Sequence, residues 1–582
     1  MRSIANSLVV LVMFLTLSFR SPAQDVSPSS TPPTKVDSAD SGQLPTSGAF
    51  NQVVDRVVER EHFFVAQMRH MHPLVETYIQ NLKNDRDHDV VPASDNYFLG
   101  RLDMSNGTDD RSFTGQPGFG ARFLNRLSSN YSMKFPPLGF AEMVMLDEDF
   151  QKKYYDFTFV RREFLGEVRC VVIDVQPKEH VGNGRFLGRI WVEDQDYNIV
   201  RVNGTFSPHK YNRYLHFDSW RVNLRPGVWL PAYIYSEEFD RKVRSDQTPR
   251  FKAQTRLWDY DPQRLAHNNQ EFTQIQVDSF QTVRDQSESA HDASPIEAER
   301  AWEHQAEENA VERLQKIGLL APPGEVDKVL QTVVNNLMVT NNLTLVPDVR
   351  CRVLLTEPLE SFTIGHTIVV SRGLLDVLPD EASLAMVLAH ELSHIVLGHR
   401  LDTKLAFNDR MFFPDENTFE RLDFTRDSAD EEAADQRALS LLAHSPYKDK
   451  LSNAGLFLEA LQTRAPELKH LIRPHLGNSL AGGKTIRMSV LLNSAPQLEM
   501  SRVDQIAALP LGGRVRLDPW SNRVELVKTK PVALLSAREK MPFEVTPFFP
   551  YLTRLQAVAP DKVAVAPSRQ RESGTTPSAS EE

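Results

Sequence analysis

The sequence predicts a multidomain α+β protein, in which an N-terminal antiparallel β domain precedes a mainly helical domain with a small edge sheet. The chain has 582 residues, more than one hydrophobic core usually organises. From about residue 98 to residue 283, short alternating stretches of polar and apolar residues are separated by Gly, Asn and Pro. After about residue 296, helical periodicity dominates instead.

The N-terminus has the pattern of a secretory signal peptide over residues 1–23. One arginine precedes Leu8–Phe19, an apolar run of about twelve residues that is short for a bilayer span. Small residues at Ser21 and Ala23 predict cleavage near Ala23. We therefore expect an exported chain, periplasmic or extracellular, and a retained membrane anchor is the alternative.

The N-terminal half divides by composition. Residues 24–48 are rich in Pro, Ser and Thr and predict a disordered linker. Residues 49–285 predict a helix, Ala49–Leu82, followed by the β domain. We expect this domain to contain at least seven strands, at Tyr155–Val160, Val168–Val175, Phe186–Val192, Ile199–Phe206, Tyr214–Val222, Trp229–Tyr235 and Ala253–Tyr260.

The β domain weakly resembles the lipoprotein carriers of outer-membrane lipoprotein sorting, whose open half-barrel holds acyl chains. An ordinary sheet that only positions the next domain is the alternative. Its tryptophans, Trp191, Trp220, Trp229 and Trp258, are expected in the core.

The C-terminal half begins with a second polar linker at residues 286–300. Residues 301–510 form the predicted helical domain, with helices at Gly324–Leu337 and Ala454–Leu468. Residues 511–559 predict a β-hairpin within Gly513–Leu526 and a helical extension, and residues 560–582 predict a disordered tail.

One apolar stretch carries a metal-binding signature. The sequence HELSH, residues 390–394, lies within an apolar run at residues 384–397. On a helix, His390 and His394 lie one turn apart on the same face, where both imidazoles can bind one Zn²⁺. Glu391 is placed to take a proton from a zinc-bound water. The alternative is a buried helix that carries these residues by chance, although unpartnered ionisable groups in an apolar helix are costly.

A catalytic zinc site needs a third protein ligand. Leu397 and Arg400 stand where a metzincin has glycine and histidine, so that class is excluded. Downstream, Glu431 and Asp435 fall one turn apart on an acidic helical segment. Glu431 can complete a His, His, Glu set, and Asp435 can accept a ligand imidazole N–H. Glu432 is the fallback ligand, and a solvated acidic helix N-terminus is the alternative.

Three ordered motifs resemble one peptidase family. The sequence reads SFTIGHTIVVSRGLL at residues 361–375, HELSHIVLGH at residues 390–399 and E-x-x-A-D at residues 431–435. Together they resemble the HtpX, Oma and CAAX-prenyl-endopeptidase family of zinc metallopeptidases, peptidase family M48, over roughly residues 300–510. Because no run of eighteen apolar residues occurs, the chain is similar to the soluble, exported branch of that family.

The resemblance implies a gluzincin domain with one Zn²⁺ per chain. It implies that His390, His394 and Glu431 are the zinc ligands. Glu391 would be the general base and acid, and Asp435 the supporting carboxylate. It also implies a strand at the edge of the cleft, on which an extended peptide substrate pairs by main-chain hydrogen bonds. That strand would consist of His366, Thr367, Ile368, Val369 and Val370.

The sequence departs from the family in two places. A His-Pro pair ahead of a late arginine is common in the family, but here S-A-P at residues 494–496 precedes Arg502. Arg502 and His475 are both candidates to stabilise the oxyanion of the tetrahedral intermediate. His366 stands where a small residue is usual, and we expect it, like His399, to have no catalytic role.

Composition limits the possible partners. A net charge of −11 and a pI near 5.9 argue against nucleic acid or anionic membrane. The two cysteines, Cys170 and Cys351, are expected to be free, partly buried thiols. The chain contains no G-x-S-x-G elbow of a serine hydrolase.

These features predict a zinc metalloendopeptidase that uses a metal-activated water. We expect its substrates to be misfolded or membrane-associated proteins, in quality control of the bacterial cell envelope. The alternative is a catalytically weak chaperone or scaffold that binds envelope proteins or lipoproteins through the β domain.

Overall fold

Nine antiparallel strands form one large sheet in the N-terminal half. The computed structural model describes residues 47–85, 89–102, 140, 146, 149–181, 185–207, 213–240, 249–260, 295–399, 422–473, 476–481, 487–499, 511, 514–527 and 543–555. The strands are β1 Leu74–Asp85, β2 Asp89–Arg101, β3 Tyr155–Leu165, β4 Val168–Pro177, β5 Arg185–Glu193, β6 Ile199–Ser207, β7 Arg213–Arg225, β8 Val228–Asp240 and β9 Pro249–Trp258. Their order in the sheet is β2-β1-β9-β8-β7-β6-β5-β4-β3, so β3 to β9 form a meander.

All seven predicted strands are present, but the predicted helix Ala49–Leu82 is wrong in its second half. Helix α1, Ser47–Met68, ends before Pro73, and β1 follows at once. Proline cannot donate a helical hydrogen bond and disfavours helical backbone in the residue before it. The apolar residues after Pro73 therefore belong to a strand.

Side chains alternate between the two faces of the sheet, and both faces are buried. Val75 and Ile79 pack in one cluster with Val57 and Phe64 of α1. Leu74 and Tyr78 pack on the other face, in a cluster shared with the helical domain. The sheet thus lies between α1 and the helical domain. The tryptophans predicted to be core are at most 5% exposed, as expected: Trp191, Trp220, Trp229 and Trp258.

The helical domain surrounds a three-stranded sheet of order β10-β12-β11. Its strands are β10 Arg350–Leu354, β11 Ser361–Ile364 and β12 Thr367–Ser371. Its helices are α2 Pro295–Lys316, α3 Glu325–Thr340, α4 Arg372–Val377, α5 Glu381–Leu397, α6 Ser428–Ala443, α7 Leu451–Arg464, α8 Lys469–Ile472 and α9 Ser489–Ser494, with a 3₁₀ turn at Lys448–Lys450. The α+β class with a small second sheet is as predicted.

A buried ionic cluster joins the large sheet to the helical domain within one compact unit, residues 45–582. Its members are Glu76 of β1, Glu357, and Arg372 and Asp376 of α4. The Arg372 guanidinium lies 2.7 Å from Glu76, 2.6 Å from Glu357 and 3.6 Å from Asp376. All four side chains are at most 3% exposed. The cluster therefore fixes the sheet against α4 by charge as well as by apolar contact.

A C-terminal strap, residues 543–555, crosses the face of the large sheet that is turned to the helical domain. Gln80 of β1 donates to the Phe543 carbonyl at 2.6 Å and accepts from the Val545 amide at 2.9 Å. Further along, the Leu555 amide donates to Asn223 of β7 at 2.6 Å. The predicted hairpin forms as β13 Val515–Leu517 and β14 Val524–Leu526. The predicted helical extension is wrong for the strap, which is extended because Pro547 and Pro550 interrupt helical hydrogen bonding.

Both cysteines are free and buried, as expected for the thiols and against a disulfide. None of the helices in the described ranges is long and apolar enough to cross a membrane. The predicted signal peptide, first linker and C-terminal tail lie outside the described residues.

Candidate metal centre

Helix α5 presents the HELSH sequence in a fully buried setting. The Asp380 side chain caps its N-terminus by accepting from the Ser383 amide at 2.8 Å, and Gly398 ends it in the left-handed region at φ 70°. His390 is 0% exposed, His394 1% and Glu391 2%. Groups with this polarity are stable in a core only if they are paired, so their partners define the site.

Helix α6 packs against α5 and supplies a carboxylate to the two imidazoles. Asp427 caps α6, and Glu431 lies in its first turn. The three ligand groups form a small triangle: His390 Nε2 and His394 Nε2 are 3.1 Å apart, Glu431 Oε2 lies 3.3 Å from His390 Nε2, and Glu431 Oε1 lies 3.4 Å from His394 Nε2. A tetrahedral zinc site holds adjacent ligand atoms about 3.3 Å apart. His390, His394 and Glu431 therefore fit a zinc ion.

The predicted supporting carboxylate is in place. Asp435, one turn after Glu431, accepts from His390 Nδ1 at 2.8 Å and from the Met488 amide at 2.7 Å. A proton on His390 Nδ1 leaves the Nε2 lone pair facing the triangle, as a metal ligand requires.

His399 has a positioning role that the sequence did not reveal. Its Nδ1 lies 2.9 Å from His394 Nδ1, and its Nε2 lies 3.5 Å from Asp430. When His394 donates from Nδ1 to His399, the Nε2 lone pair of His394 also faces the triangle. His399 therefore contacts one ligand as Asp435 contacts the other. The expectation that His399 has no catalytic role stays a prediction.

Strand β11 holds the Glu391 carboxylate by two hydrogen bonds. The Ser361 hydroxyl donates to its Oε1 at 2.7 Å, and the Thr363 hydroxyl donates to its Oε2 at 2.8 Å. Arg487 lies 3.9 Å from Glu391 and 2.9 Å from Glu431 Oε2. The carboxylate predicted to act as general base is thus fixed beside the ligand triangle, with a cation next to it.

The charges of the site are set by these contacts. Burial alone would raise the pKa of Glu431, but hydrogen bonds to His390 and His394 and the charge of Arg487 hold that pKa well below its ordinary range. Burial and Arg487 would lower the pKa of His390, yet Asp435 and Glu431 raise it overall. Burial lowers the pKa of His394. Glu431 is therefore ionised over the physiological pH range, which suits a metal ligand.

The predicted edge strand is wrong in its place in the sheet. Strand β12, which contains four of the five predicted residues, is central: it pairs in parallel with β10 and antiparallel with β11. His366 lies in the turn before it. The outer strands are β10 and β11, and on β11 Arg426 donates to the Thr363 carbonyl at 3.2 Å. Spacing along the chain cannot reveal which strand of a three-stranded sheet is central, because pairing is non-local.

The structure places one of the remaining candidate site residues, Glu432, and does not describe Arg502 or His475. Glu432, the fallback ligand, is exposed on α6, so the structure favours Glu431. Arg502 and His475 lie outside the described residues. Arg487, missed from sequence, is the cation that the structure places at the site. No local periodicity marks it, and only its position as an arginine inside the predicted helical domain could have drawn attention to it.

Comparison with known proteins agrees with this geometry. Residues 325–411 match the model of Peptidase family M48. This part of the chain is therefore similar to peptidase family M48. The family consists of zinc metallopeptidases, and the matched residues include the HELSH sequence of α5. Glu431 and Asp435 lie beyond the matched residues, so their assignment rests on the distances above.

One solved structure is weakly similar to this chain. A solved structure of a DUF1329 family protein from Desulfovibrio piger shares 12% sequence identity, and the match covers 36% of this chain and 92% of that protein. Its TM-score of 0.21 is too low to carry an argument about fold. The resemblance of the β domain to lipoprotein carriers stays a prediction. No curated protein matches the sequence.

Proposed function

We propose that the chain is a zinc-dependent metalloendopeptidase that hydrolyses peptide bonds in proteins of the bacterial cell envelope, as quality control. The observation that carries the activity is the convergence of His390, His394 and Glu431 on one point beside Glu391. The ligand atoms of these three residues all lie within 4.8 Å of one another. The cellular role rests on the predicted signal peptide.

Each residue of the centre has a distinct task. Zinc held by the three ligands would polarise a substrate carbonyl and bring the pKa of a coordinated water toward about 7. Glu391 accepts a proton and returns it to the leaving amine. Ser361 and Thr363 orient the Glu391 carboxylate from β11. Arg487, 3.9 Å from Glu391, is our candidate to stabilise negative charge that develops on the carbonyl oxygen.

The outer edge of β11 is our candidate for substrate pairing. An extended peptide can add to a strand edge by main-chain hydrogen bonds. The Thr363 carbonyl on β11 points to Arg426, not to a neighbouring strand of its sheet. A substrate that pairs there would displace this arginine contact. The hydroxyls of Ser361 and Thr363 on the same strand would then lie between the bound peptide and Glu391.

One observation favours the alternative of a catalytically weak scaffold. Both oxygens of Glu391 already accept hydrogen bonds from hydroxyl groups, and these bonds occupy acceptor sites that a water molecule would otherwise use. The two functions differ in whether Glu391 is required for a measurable cleavage rate.

The test is casein cleavage by the zinc-loaded full chain and by Glu391→Gln, which keeps the ligands and the side-chain shape. We expect the substitution to lower the rate by about 10²–10⁴-fold while zinc content stays unchanged. The exposed Glu432→Gln is the matched control and should cleave like the wild type. Equal cleavage by Glu391→Gln would contradict the role of Glu391. A zinc-loaded wild type that does not cleave would favour the scaffold.

The envelope role has a separate test. Glu391→Gln should bind substrates without cutting them, so proteins that co-purify with it from an envelope fraction should be cleaved on addition of wild type. Co-purifying proteins that the wild type leaves intact would contradict the quality-control role while leaving the peptidase activity open to the casein test.

A further inference from the structure

A cavity of about 260 Å³ lies between the large sheet, the β13–β14 hairpin and the C-terminal strap. Most of its wall is apolar, with Leu224 and Leu257 from the sheet, Leu517 from the hairpin and Phe548 and Leu552 from the strap. None of the residues of the metal centre lines it. The peptidase reaction therefore leaves this cavity without a role.

One wall of the cavity carries a buried cation. Arg256 of β9 lines the cavity and is 7% exposed. Its Nε and Nη2 have no hydrogen-bond partner among the described residues, and the Tyr233 ring lies 5.2 Å from its Cζ. No carboxylate of the described residues forms an ion pair with it. Burial of an unpaired guanidinium is unfavourable unless something else binds to it.

By contrast, Arg221 of the large sheet and Arg372 of the ionic cluster each form an ion pair with a buried carboxylate. Arg221 donates to Glu61 at 2.7 and 2.8 Å, and Arg372 donates to Glu76 at 2.7 Å. Burial lowers the pKa of Arg256, Arg372 lowers it further, and the more distant Glu357 and Asp376 oppose this. Those two carboxylates are already engaged with Arg372. Arg256 thus lines the cavity as a buried arginine that forms no ion pair with a described carboxylate.

The mouth of the cavity is apolar as well. Tyr551 and Leu555 of the strap line the cavity, yet they are 64% and 46% exposed. Exposed apolar side chains beside a pocket are typical of ligand entry. A ligand with its charged end at Arg256 would therefore extend an apolar body toward the strap.

We propose that this cavity binds a small amphiphile that ends in a single carboxylate, with Arg256 as the residue that pairs with the carboxylate. A cavity of about 150 Å³ holds benzene, so this one has room for an apolar body of roughly ten carbon atoms. Two sources have this chemistry: a fatty acid, and the C-terminus of a short apolar peptide. Arginine matches a carboxylate by two parallel hydrogen bonds.

The experiment measures binding to the full chain by calorimetry, with decanoate, its neutral amide, and acetyl-Leu-Leu as the peptide source. A carboxylate should bind at least tenfold tighter than the matching neutral amide, because a hydrogen bond to a charged group is lost in the amide. Arg256→Met should lower carboxylate affinity at least tenfold and abolish the preference over the amide. Arg516→Met is the matched control, since Arg516 lines the cavity but is half-exposed and paired with Glu525.

A second variant keeps the proposal testable if Arg256→Met does not fold. Ala232→Phe places bulk in the cavity wall and leaves Arg256 intact. It should abolish binding while circular dichroism and Tm stay near those of the wild type. Glu391→Gln should bind as the wild type does, because the cavity is independent of hydrolysis.

The outcomes separate the two sources and the contrary case. Tight binding of decanoate alone assigns a fatty acid, and tight binding of acetyl-Leu-Leu alone assigns a peptide C-terminus; both support a carboxylate site. The proposal is overturned if neither carboxylate binds at millimolar concentration, if the amide binds equally well, or if Arg256→Met leaves the affinity unchanged.

Discussion

The metal centre and the ionic cluster are two buried groups of charged side chains that use carboxylates in opposite ways. In the ionic cluster, Arg372 lies among Glu76, Glu357 and Asp376. There burial dominates and raises the pKa of Glu76 to about 7 and that of Asp376 to about 6. At the metal centre, contacts with imidazoles and Arg487 dominate instead and lower the pKa of Glu431.

The difference shows what distinguishes a structural cluster from a ligand set. In the ionic cluster, a cation of the chain itself, Arg372, lies within 3.6 Å of every carboxylate. At the metal centre, Arg487 contacts Glu431, but the Nε2 atoms of His390 and His394 face each other at 3.1 Å. Two imidazole lone pairs at that distance are favourable only with a proton or a cation between them. The first cluster should therefore govern folding, and the second metal binding.

The largest expected effect comes from removal of the internal cation. Arg372→Met removes the cation that contacts all three buried carboxylates, so the free energy of unfolding should fall by about 3–5 kcal/mol. Urea unfolding measures this. Arg516→Met, which breaks an exposed pair, should change stability by at most about 0.5 kcal/mol. A loss below about 1 kcal/mol for Arg372→Met would show that the cluster does not support the fold.

A smaller effect is expected from Glu76, as a dependence on pH. Its folded pKa of about 7 lies above its ordinary value of 4.5, so the folded chain binds this proton more tightly than the unfolded chain. The contribution of this proton to the free energy of unfolding is complete below pH 4.5 and is lost as the pH rises through about 7. Between about pH 5 and about pH 8, the free energy of unfolding should therefore fall less in Glu76→Gln than in the wild type, by about 1–3 kcal/mol.

The control for the pH series is Glu525→Gln, in a surface pair with Arg516. It should follow the wild-type pH dependence. Parallel curves for the wild type and Glu76→Gln would contradict the role of Glu76 as the titrating group.

The third prediction concerns support of a ligand. Asp435→Ala removes the acceptor for His390 Nδ1, so zinc affinity should fall by about 10–100-fold. Competition with a chromogenic zinc chelator measures the affinity. The exposed Glu432→Ala should keep the wild-type value, and thermal stability should separate metal loss from unfolding. Unchanged affinity in Asp435→Ala would mean that this carboxylate does not position the ligand.

Local sequence patterns predict part of the fold and part of the candidate site. The four-residue spacing of His390 and His394 and that of Glu431 and Asp435 depend only on helical geometry, which a sequence displays directly. The strand repeats of the β domain are equally local. The lost half of the first predicted helix was also foreseeable, since Pro73 marks its end.

The rest depends on contacts between distant segments. Arg487 reaches the site from a segment 96 residues after Glu391, without a repeat that marks it. The central position of β12 follows from pairing with β10 and β11, which no stretch of sequence states. The ionic cluster joins Glu76 to Arg372 across 296 positions, so its four members look like ordinary surface charges in the sequence.

The central claim is that His390, His394 and Glu431 form one zinc site. Zinc content of the purified full chain, measured by inductively coupled plasma mass spectrometry after removal of loosely bound metal, tests it most directly. We expect one zinc per chain in the wild type and in Glu432→Ala, and none in Glu431→Ala. A wild type without zinc, or full zinc content in Glu431→Ala, would contradict it.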